Sequence, residues 1–165
     1  MKQLLLVRHG KTENQTSGQK DIDRALTREG HQDAPDMANR FVEKGVVPEY
    51  LVSSTANRAL TTAKYFAKTW NIDQVQLQTE ASIYEANIPE LIKVVASLDN
   101  RYDKTALFGH NPGFTDFANY LSNAHIYSIP PAGLVWIEFP FDDWAMVSKG
   151  TGTLLLFDYP RDPNE

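Results

Sequence analysis

The 165-residue sequence contains no cysteine. A chain without thiols cannot build a disulfide framework, a thiolate metal site or a cysteine nucleophile. Long hydrophobic runs are missing too: the apolar stretches are only a few residues long, whereas a membrane-spanning helix needs roughly 20. The N-terminus turns polar at Arg8, before the apolar segment of a signal peptide is complete. We therefore expect no membrane partner and a cytoplasmic location.

The sequence also lacks an excess of positive charge. It has 16 lysines and arginines against 21 aspartates and glutamates, for a formal net charge of −5. An acidic chain is a poor general ligand for nucleic acid, so we expect no nucleic-acid partner. Its 42% hydrophobic content suits a globular core, and its length predicts one domain over residues 1–165.

Hydrophobic patterning predicts strands that alternate with helices. Short apolar runs indicate strands at 4–7, 50–54, 75–78 and 105–109. Helical periodicity indicates helices from Thr27 to Gly45 and at 55–70, 88–98 and 115–122, and Pro35 predicts a kink or a late start in the first. Residues 133–140 and 151–158 favour an antiparallel edge or pair. The pattern predicts an α/β fold, with a mostly parallel sheet between two helical layers.

Three of the predicted strands end in residues that can carry chemistry. The first runs into Arg8 and His9, the second leads to Arg58, and the fourth is followed by His110. Ligands bind beyond the carboxyl ends of parallel strands, so we expect these four side chains to meet at one edge of the sheet. Guanidinium groups match phosphate oxygens, and the sequence therefore predicts a phosphoryl site on an acidic protein.

A neutral histidine ring beside fixed cations can attack phosphorus and form a covalent phosphohistidine. His9 is the stronger candidate because Gly10 follows it and permits a close approach of the backbone. Arg8, Arg58 and His110 would supply positioning and charge neutralisation. Two histidines without a third ligand in a recognisable spacing are a poor metal site, so we expect neither a metal nor another cofactor.

The ordered motifs resemble those of a known family. "LVRHGKT", "LTREG", "VSSTANRALTTA" and "FGHNPG" together resemble the histidine phosphatase superfamily, also called phosphoglycerate mutase-like, over residues 4 to about 120. The compact length and "GHNP" look most like its SixA-type phosphohistidine phosphatases. The resemblance implies the three-layer fold of that family, with His9 as nucleophile and Arg8, Arg58 and His110 around the phosphate.

The resemblance also implies an acidic proton donor after the third strand, and "IYEANIPEL" places Glu85 there. Only a partly apolar site would keep such a carboxyl protonated among cations, and Ile83 and Tyr84 could provide one. Glu80 and Glu90 are rivals, one too early and one inside a helix. In SixA-like members the donor is dispensable, since the leaving nitrogen of a phosphoramidate is easily protonated.

Several further residues have two interpretations. Thr12 could bind the phosphate or shape its loop, and Asn111 could offer a backbone N–H to a phosphoryl oxygen. Ser53 and Ser54 would end a strand and cap the next helix. Residues 131–133 form either a rigid turn or the substrate mouth. Trp144 and Phe141 belong to the core or to a partner surface, and His31 and His125 are expected at the surface without matched partners.

These features predict a metal-independent phosphatase that removes phosphate from phosphohistidine on a protein. A small phosphomonoester is the alternative substrate. A phosphate-binding module without catalysis is the alternative from another class, and it would keep the cationic pocket without turnover.

Overall fold

Six strands form one mixed sheet in the computed structural model, which describes residues 1–44 and 47–160. The strands are β1 (Lys2–Arg8), β2 (Tyr50–Ser53), β3 (Leu77–Thr79), β4 (Lys104–Gly109), β5 (Leu134–Phe139) and β6 (Thr153–Asp158). The helices are α1 (Arg28–Val42), α2 (Asn57–Thr69), α3 (Ile88–Ala96) and α4 (Gly113–Leu121). The strand order is β3-β2-β4-β1-β5-β6.

The first four strands of that order are parallel, and β5 and β6 are antiparallel. The predicted α/β fold and its antiparallel pair are therefore confirmed. Each parallel connection carries a helix, as parallel pairing requires. The prediction of a single domain over residues 1–165 stays a prediction.

The central strand β1 is buried on both faces, because alternate side chains point to opposite sides of a sheet. Leu4 and Leu6 pack into a cluster that includes Phe117 of α4, whereas Leu5 and Val7 pack into a second cluster that includes Phe66 of α2. The sheet thus lies between α1 and α2 on one side and α3 and α4 on the other. This is the expected three-layer sandwich.

The structure corrects some boundaries. β3 begins at Leu77, two residues later than predicted, because Asp73 caps a short 3₁₀ turn over Gln74–Gln76. α1 begins at Arg28 with Thr27 accepting a bond from the Gly30 N–H, so a late start at Pro35 is wrong. Gly45, the predicted end of this helix, lies outside the described residues.

The interior holds one buried lysine and also decides the interpretation of Trp144. Lys2 is fully buried in β1, and its Nζ donates to the Asn100 carbonyl at 2.8 Å and to Asp103 Oδ1 at 3.0 Å. Trp144 is fully buried, which selects the core interpretation for it, and Phe141 packs against the same cluster. Within the described residues, no helix is long and apolar enough to cross a membrane.

Candidate active site

The ends of β2, β4 and β1 lie side by side, with β4 in the middle. Arg8 pairs with Gly109 across β1 and β4, and Ser53 pairs with Phe108 across β2 and β4. His9 and His110 follow β1 and β4 directly and therefore lie side by side, and their ring centroids are 5.2 Å apart. The predicted convergence of the strand ends is confirmed for this pair.

His9 is held in one tautomer. Its Nδ1 lies 2.7 Å from the carbonyl oxygen of Gly10, and a carbonyl oxygen can only accept, so the proton is on Nδ1. The Nε2 atom then carries a lone pair. The pKa of His9 is lowered to about 3, chiefly by burial and also by the charges of His110, Arg58 and Arg8, while the bond to Gly10 opposes them. The ring is neutral at neutral pH, as a nucleophile must be.

The backbone around His9 is fixed from two sides. The His9 carbonyl accepts from the Ala132 N–H at 3.0 Å, and the Arg8 N–H donates to the Gly133 carbonyl at 3.0 Å. Residues 131–133 thus form a turn that supports the strand end. A Cβ on Gly10 would lie 3.1 Å from the Gly30 carbonyl oxygen, so the close approach at Gly10 is to the first turn of α1.

His110 is anchored through its other nitrogen. Its Nε2 lies 2.7 Å from Ser54 Oγ, and its buried Nδ1 has no partner among the described residues. Burial lowers its pKa to about 4, and the charges of Arg58 and Arg8 act in the same direction while Asp21 opposes them. Ser54 therefore does more than cap the next helix, which the sequence had suggested as its whole role.

The two arginines are held by different groups. Arg8 Nη1 donates to the Ile129 carbonyl at 2.8 Å, and its buried Nε has no partner in the described chain. Arg58, 6% exposed, donates from Nη1 to the Asp21 carbonyl at 2.8 Å and from Nη2 to Asp21 Oδ2 at 3.0 Å. The charges of both groups lower the pKa of His9.

A pocket of about 510 Å³ opens beside these groups. Its lining residues come from the strand ends and the loops above them: Asp21, Arg58, Glu85, Ala86, Asn87, His110, Asn111, Pro112, Gly113 and Asp116. The lining therefore combines one permanent cation, Arg58, with three carboxylates, and Arg8 and His9 are not among the residues that line it. An anion in the pocket would meet the buried donors of Arg58 and the acidic groups around it.

Thr12 and Asn111 have structural partners. Thr12 Oγ1 accepts from Arg24 Nη2 at 2.9 Å, which favours the loop-shaping interpretation. The Asn111 side chain donates to the Ile129 carbonyl at 2.9 Å and accepts from Thr115 Oγ1 at 2.8 Å. Asn111 also lines the pocket, and the role of its backbone N–H stays a prediction.

Glu85 lines the pocket but is exposed, and it adopts a left-handed backbone with φ of 55°. The expected apolar enclosure is missing, because Ile83 is buried in the core and Tyr84 turns its hydroxyl to Asp21. The rivals are engaged elsewhere, Glu80 with Ser82 and Glu90 in a capping box with Asn87.

Sequence reasoning missed Asp21, and it gave Tyr84 only an apolar role beside Glu85. Asp21 lies in a polar loop without periodicity, so no sequence signal marked it. Tyr84 packs edge-on to His110 at 5.5 Å and lies 5.8 Å from the Arg58 guanidinium carbon. His31 and His125 are exposed as expected, but His31 Nδ1 lies 2.7 Å from the Tyr65 hydroxyl, so it does have a partner.

The described residues contain no cluster of metal-type ligands. In residues 1–44 and 47–160, no group of three histidine, aspartate or glutamate side chains is arranged to hold a metal ion. The idea of a two-histidine metal site thus gains no third ligand in this part of the chain, and independence from metal stays a prediction.

A profile of the histidine phosphatase superfamily, branch 1, matches residues 4–111. A search of curated proteins finds no match. Among solved structures, a protein described as phosphohistidine phosphatase SixA from Agrobacterium tumefaciens aligns with a TM-score of 0.80 and 22% identity, over 96% of this chain and 99% of that one. The protein histidine phosphatase SixA complexed with tungstate gives 0.79 and 18%, over 95% and 96%.

The fold is shared with phosphatases of small molecules as well. Mycobacterial glucosyl-3-phosphoglycerate phosphatase in complex with VO3 aligns with a TM-score of 0.70 and 14% identity, over 97% of this chain and 100% of that one. At these identities the likeness shows the fold, and the substrates named belong to those proteins.

Proposed function

Because the chain belongs to the histidine phosphatase superfamily, we propose that it is a metal-independent phosphatase that forms a phosphohistidine on His9. The observation that carries the proposal is the 2.7 Å contact between His9 Nδ1 and the Gly10 carbonyl, which leaves a lone pair on Nε2. A nucleophile of this kind needs no metal to activate it.

The unpartnered atoms near His9 supply the rest of the chemistry. Arg8 Nε and His110 Nδ1 are buried without partners in the described chain, and a buried donor left unpaired costs about 1–3 kcal/mol. A bound phosphoryl group would satisfy both, and Arg58 would add further donors. These groups neutralise the charge of the transferred phosphoryl, which is most of what this reaction requires.

The reaction has two displacements. His9 Nε2 attacks phosphorus, the bond from phosphorus to the leaving atom breaks, and the leaving group takes a proton. Water then attacks the phosphohistidine, the bond from phosphorus to Nε2 breaks, and the water proton leaves to solvent or to a carboxylate. Glu85 is the proposed acid and base at the pocket, and a leaving imidazole needs its help less than an alkoxide does.

We propose phosphohistidine on a protein as the substrate. Of the described residues that line the pocket, Asp21, Glu85 and Asp116 are acidic and Arg58 is the permanent cation. Such a lining repels a phosphomonoester with further negative charges and tolerates the imidazole of a phosphohistidine. The exposed position of Glu85 also fits a leaving group that is easily protonated.

The test is to trap the intermediate. Wild-type protein is mixed with a ³²P-phosphohistidine protein and, separately, with a small phosphomonoester, then quenched in base. We expect acid-labile label on the chain, with turnover of the phosphohistidine substrate at least tenfold faster. His9→Ala should abolish label and turnover, whereas His31→Ala, at an exposed ring bonded to Tyr65, should keep both.

Other outcomes decide between the alternatives. Fast cleavage of the monoester with no action on phosphohistidine would replace the substrate assignment. Phosphate binding without label or turnover would leave the non-catalytic module. Label that persists in His9→Ala would move the nucleophile to another residue.

A further inference from the structure

We propose that Asp21 is a positioning residue of this site, which holds the Arg58 guanidinium in the orientation that meets the transferred phosphoryl group. The proposal rests on the proposed function. Asp21 belongs to the polar loop over residues 14–23, so the proposal also makes this loop part of the active site.

Asp21 accepts two hydrogen bonds from Arg58. Arg58 Nη1 donates to the Asp21 carbonyl at 2.8 Å, and Nη2 donates to Asp21 Oδ2 at 3.0 Å. Two bonds to the two terminal nitrogens fix the plane of the guanidinium, and the Tyr84 ring lies 5.8 Å from its carbon. A guanidinium has five N–H donors, so the two bonds to Asp21 leave other donors for a phosphoryl oxygen.

Asp21 is itself held by two parts of the chain. Arg24 Nη1 donates to Asp21 Oδ1 at 3.1 Å, and the same arginine reaches Thr12 Oγ1 at 2.9 Å and the Glu13 carbonyl at 3.0 Å. From the segment between β3 and α3, the Tyr84 hydroxyl donates to Asp21 Oδ2. The carboxylate therefore joins the loop after β1 to the loop before α3.

The charge of Asp21 persists at working pH. The Tyr84 hydroxyl, together with Arg24 and Arg58, lowers the pKa of Asp21 to about 2 although partial burial opposes this. A permanent carboxylate cannot act as a general acid at neutral pH. Its contribution is therefore geometric, through Arg58.

Loss of the hydrogen bonds between Arg58 and Asp21 should affect kcat and the affinity for phosphate differently. A misplaced catalytic group can lower the rate about 100-fold, because the donor no longer meets the phosphoryl oxygen. The affinity for a ground-state anion should fall little, since removal of a carboxylate from the pocket also removes a repulsion. A lower kcat with an unchanged inhibition constant for inorganic phosphate is thus the signature of positioning.

The experiment compares Asp21→Asn with Asp23→Asn. Asp23 lies two residues away in the same loop, is exposed, and its carboxylate has no hydrogen bond or ion pair within the described residues. We expect kcat to fall about 10- to 100-fold in Asp21→Asn and less than twofold in Asp23→Asn. The inhibition constant for inorganic phosphate should change less than about threefold in both.

Three results would overturn the proposal. The first is a kcat of Asp21→Asn within threefold of wild type. The second is a higher kcat, which would mean that Asp21 competes with substrate for Arg58. The third is a loss of kcat that is matched by an equal loss of phosphate affinity. If Asp21→Asn does not fold, Tyr84→Phe removes one of its anchors and should lower kcat about 3- to 10-fold with the same pattern.

A readout without turnover separates this proposal from the proposed function. In ¹⁵N spectra, a guanidinium held at two nitrogens should give a slowly exchanging Arg58 signal in wild type and Asp23→Asn. That signal should be lost in Asp21→Asn. If wild type turns over neither substrate, the proposed function fails and this signal still decides the role of Asp21; an unchanged signal would refute it.

Discussion

The neighbouring strands β1 and β4 are each followed by a histidine of the candidate site, but the two rings are anchored to different kinds of group. His9 is fixed by a carbonyl oxygen of its own chain neighbour, Gly10. His110 is fixed by a hydroxyl, Ser54 Oγ, from a third strand end. A carbonyl only accepts a hydrogen bond, whereas a hydroxyl both donates and accepts.

Because of this difference, the two rings differ in the tautomers that they can adopt. His9 has one tautomer, so its Nε2 always presents a lone pair while the ring is neutral. His110 can keep its Ser54 contact in either tautomer or as a cation, so its unpartnered Nδ1 can offer an N–H to a phosphoryl oxygen. The geometry therefore suits His9 to the proposed role of nucleophile and His110 to the proposed role of donor, although both residues follow the ends of parallel strands.

The largest expected effect comes from removing that donor. In His110→Gln the amide can replace Nε2 at Ser54 but not Nδ1, so we expect kcat to fall about 100- to 1000-fold. In His110→Asn the amide nitrogen takes the place of Nδ1, and the loss should be about tenfold smaller. Turnover of the phosphohistidine substrate measures both, and label on His9 should still form slowly.

An opposite ranking, with His110→Asn the poorer enzyme, would mean that the Ser54 side of the ring matters more than Nδ1. A second contrary result would be no label in His110→Gln and His110→Asn but label in His9→Ala. The nucleophile would then be His110, and the roles of the two histidines would be exchanged.

The next effect is on stability and tests whether both rings stay neutral. The pKa values of His9 and His110 are lowered to about 3 and about 4, so between pH 7 and 5 the unfolded chain takes up protons at these positions and the folded chain does not. Stability from this source is complete above the unfolded pKa and falls as the pH drops. Each ring should contribute a loss of about 2 kcal/mol between pH 7 and 5.

Urea unfolding at pH 7 and pH 5 measures this loss. His110→Asn should lose about 2 kcal/mol less than wild type over that range, because one titrating ring is gone. An identical loss in the two proteins would mean that His110 is already protonated in the folded state.

Sequence alone predicted the residues at strand ends better than their neighbours. Arg8, His9, Arg58 and His110 follow from motif order and from the rule that parallel strands end at one edge. Those signals are local in sequence, and the topology that joins them is regular. The structure accordingly brings the two histidines together as expected.

Contacts that depend on tertiary packing could not be predicted. Asp21 reaches Arg58 across 37 positions and Tyr84 across 63, from a loop whose polar sequence looks like solvent-exposed chain. Nothing in the sequence marks Lys2 as buried, and its burial depends on carbonyls of the loop before β4 that accept from its Nζ. The expected enclosure of Glu85 failed because Tyr84 had a stronger partner in Asp21.

The smallest effect concerns the hydroxyl that distinguishes His110 from His9. Ser54→Ala leaves Nε2 without its partner at 2.7 Å and removes the acceptor of the Ala56 N–H at 3.2 Å, so we expect kcat to fall about tenfold. Ser53→Ala is the matched control, because Ser53 is equally buried but its Oγ donates to the Ser54 carbonyl at 2.9 Å.

We expect Ser53→Ala to keep kcat within about twofold of wild type, because no bond to the His110 ring is lost. Equal losses in the two variants would assign the effect to packing at the end of β2. The hydroxyl would then not be what sets the second histidine apart, and the division into nucleophile and donor would rest on His9 and its carbonyl alone.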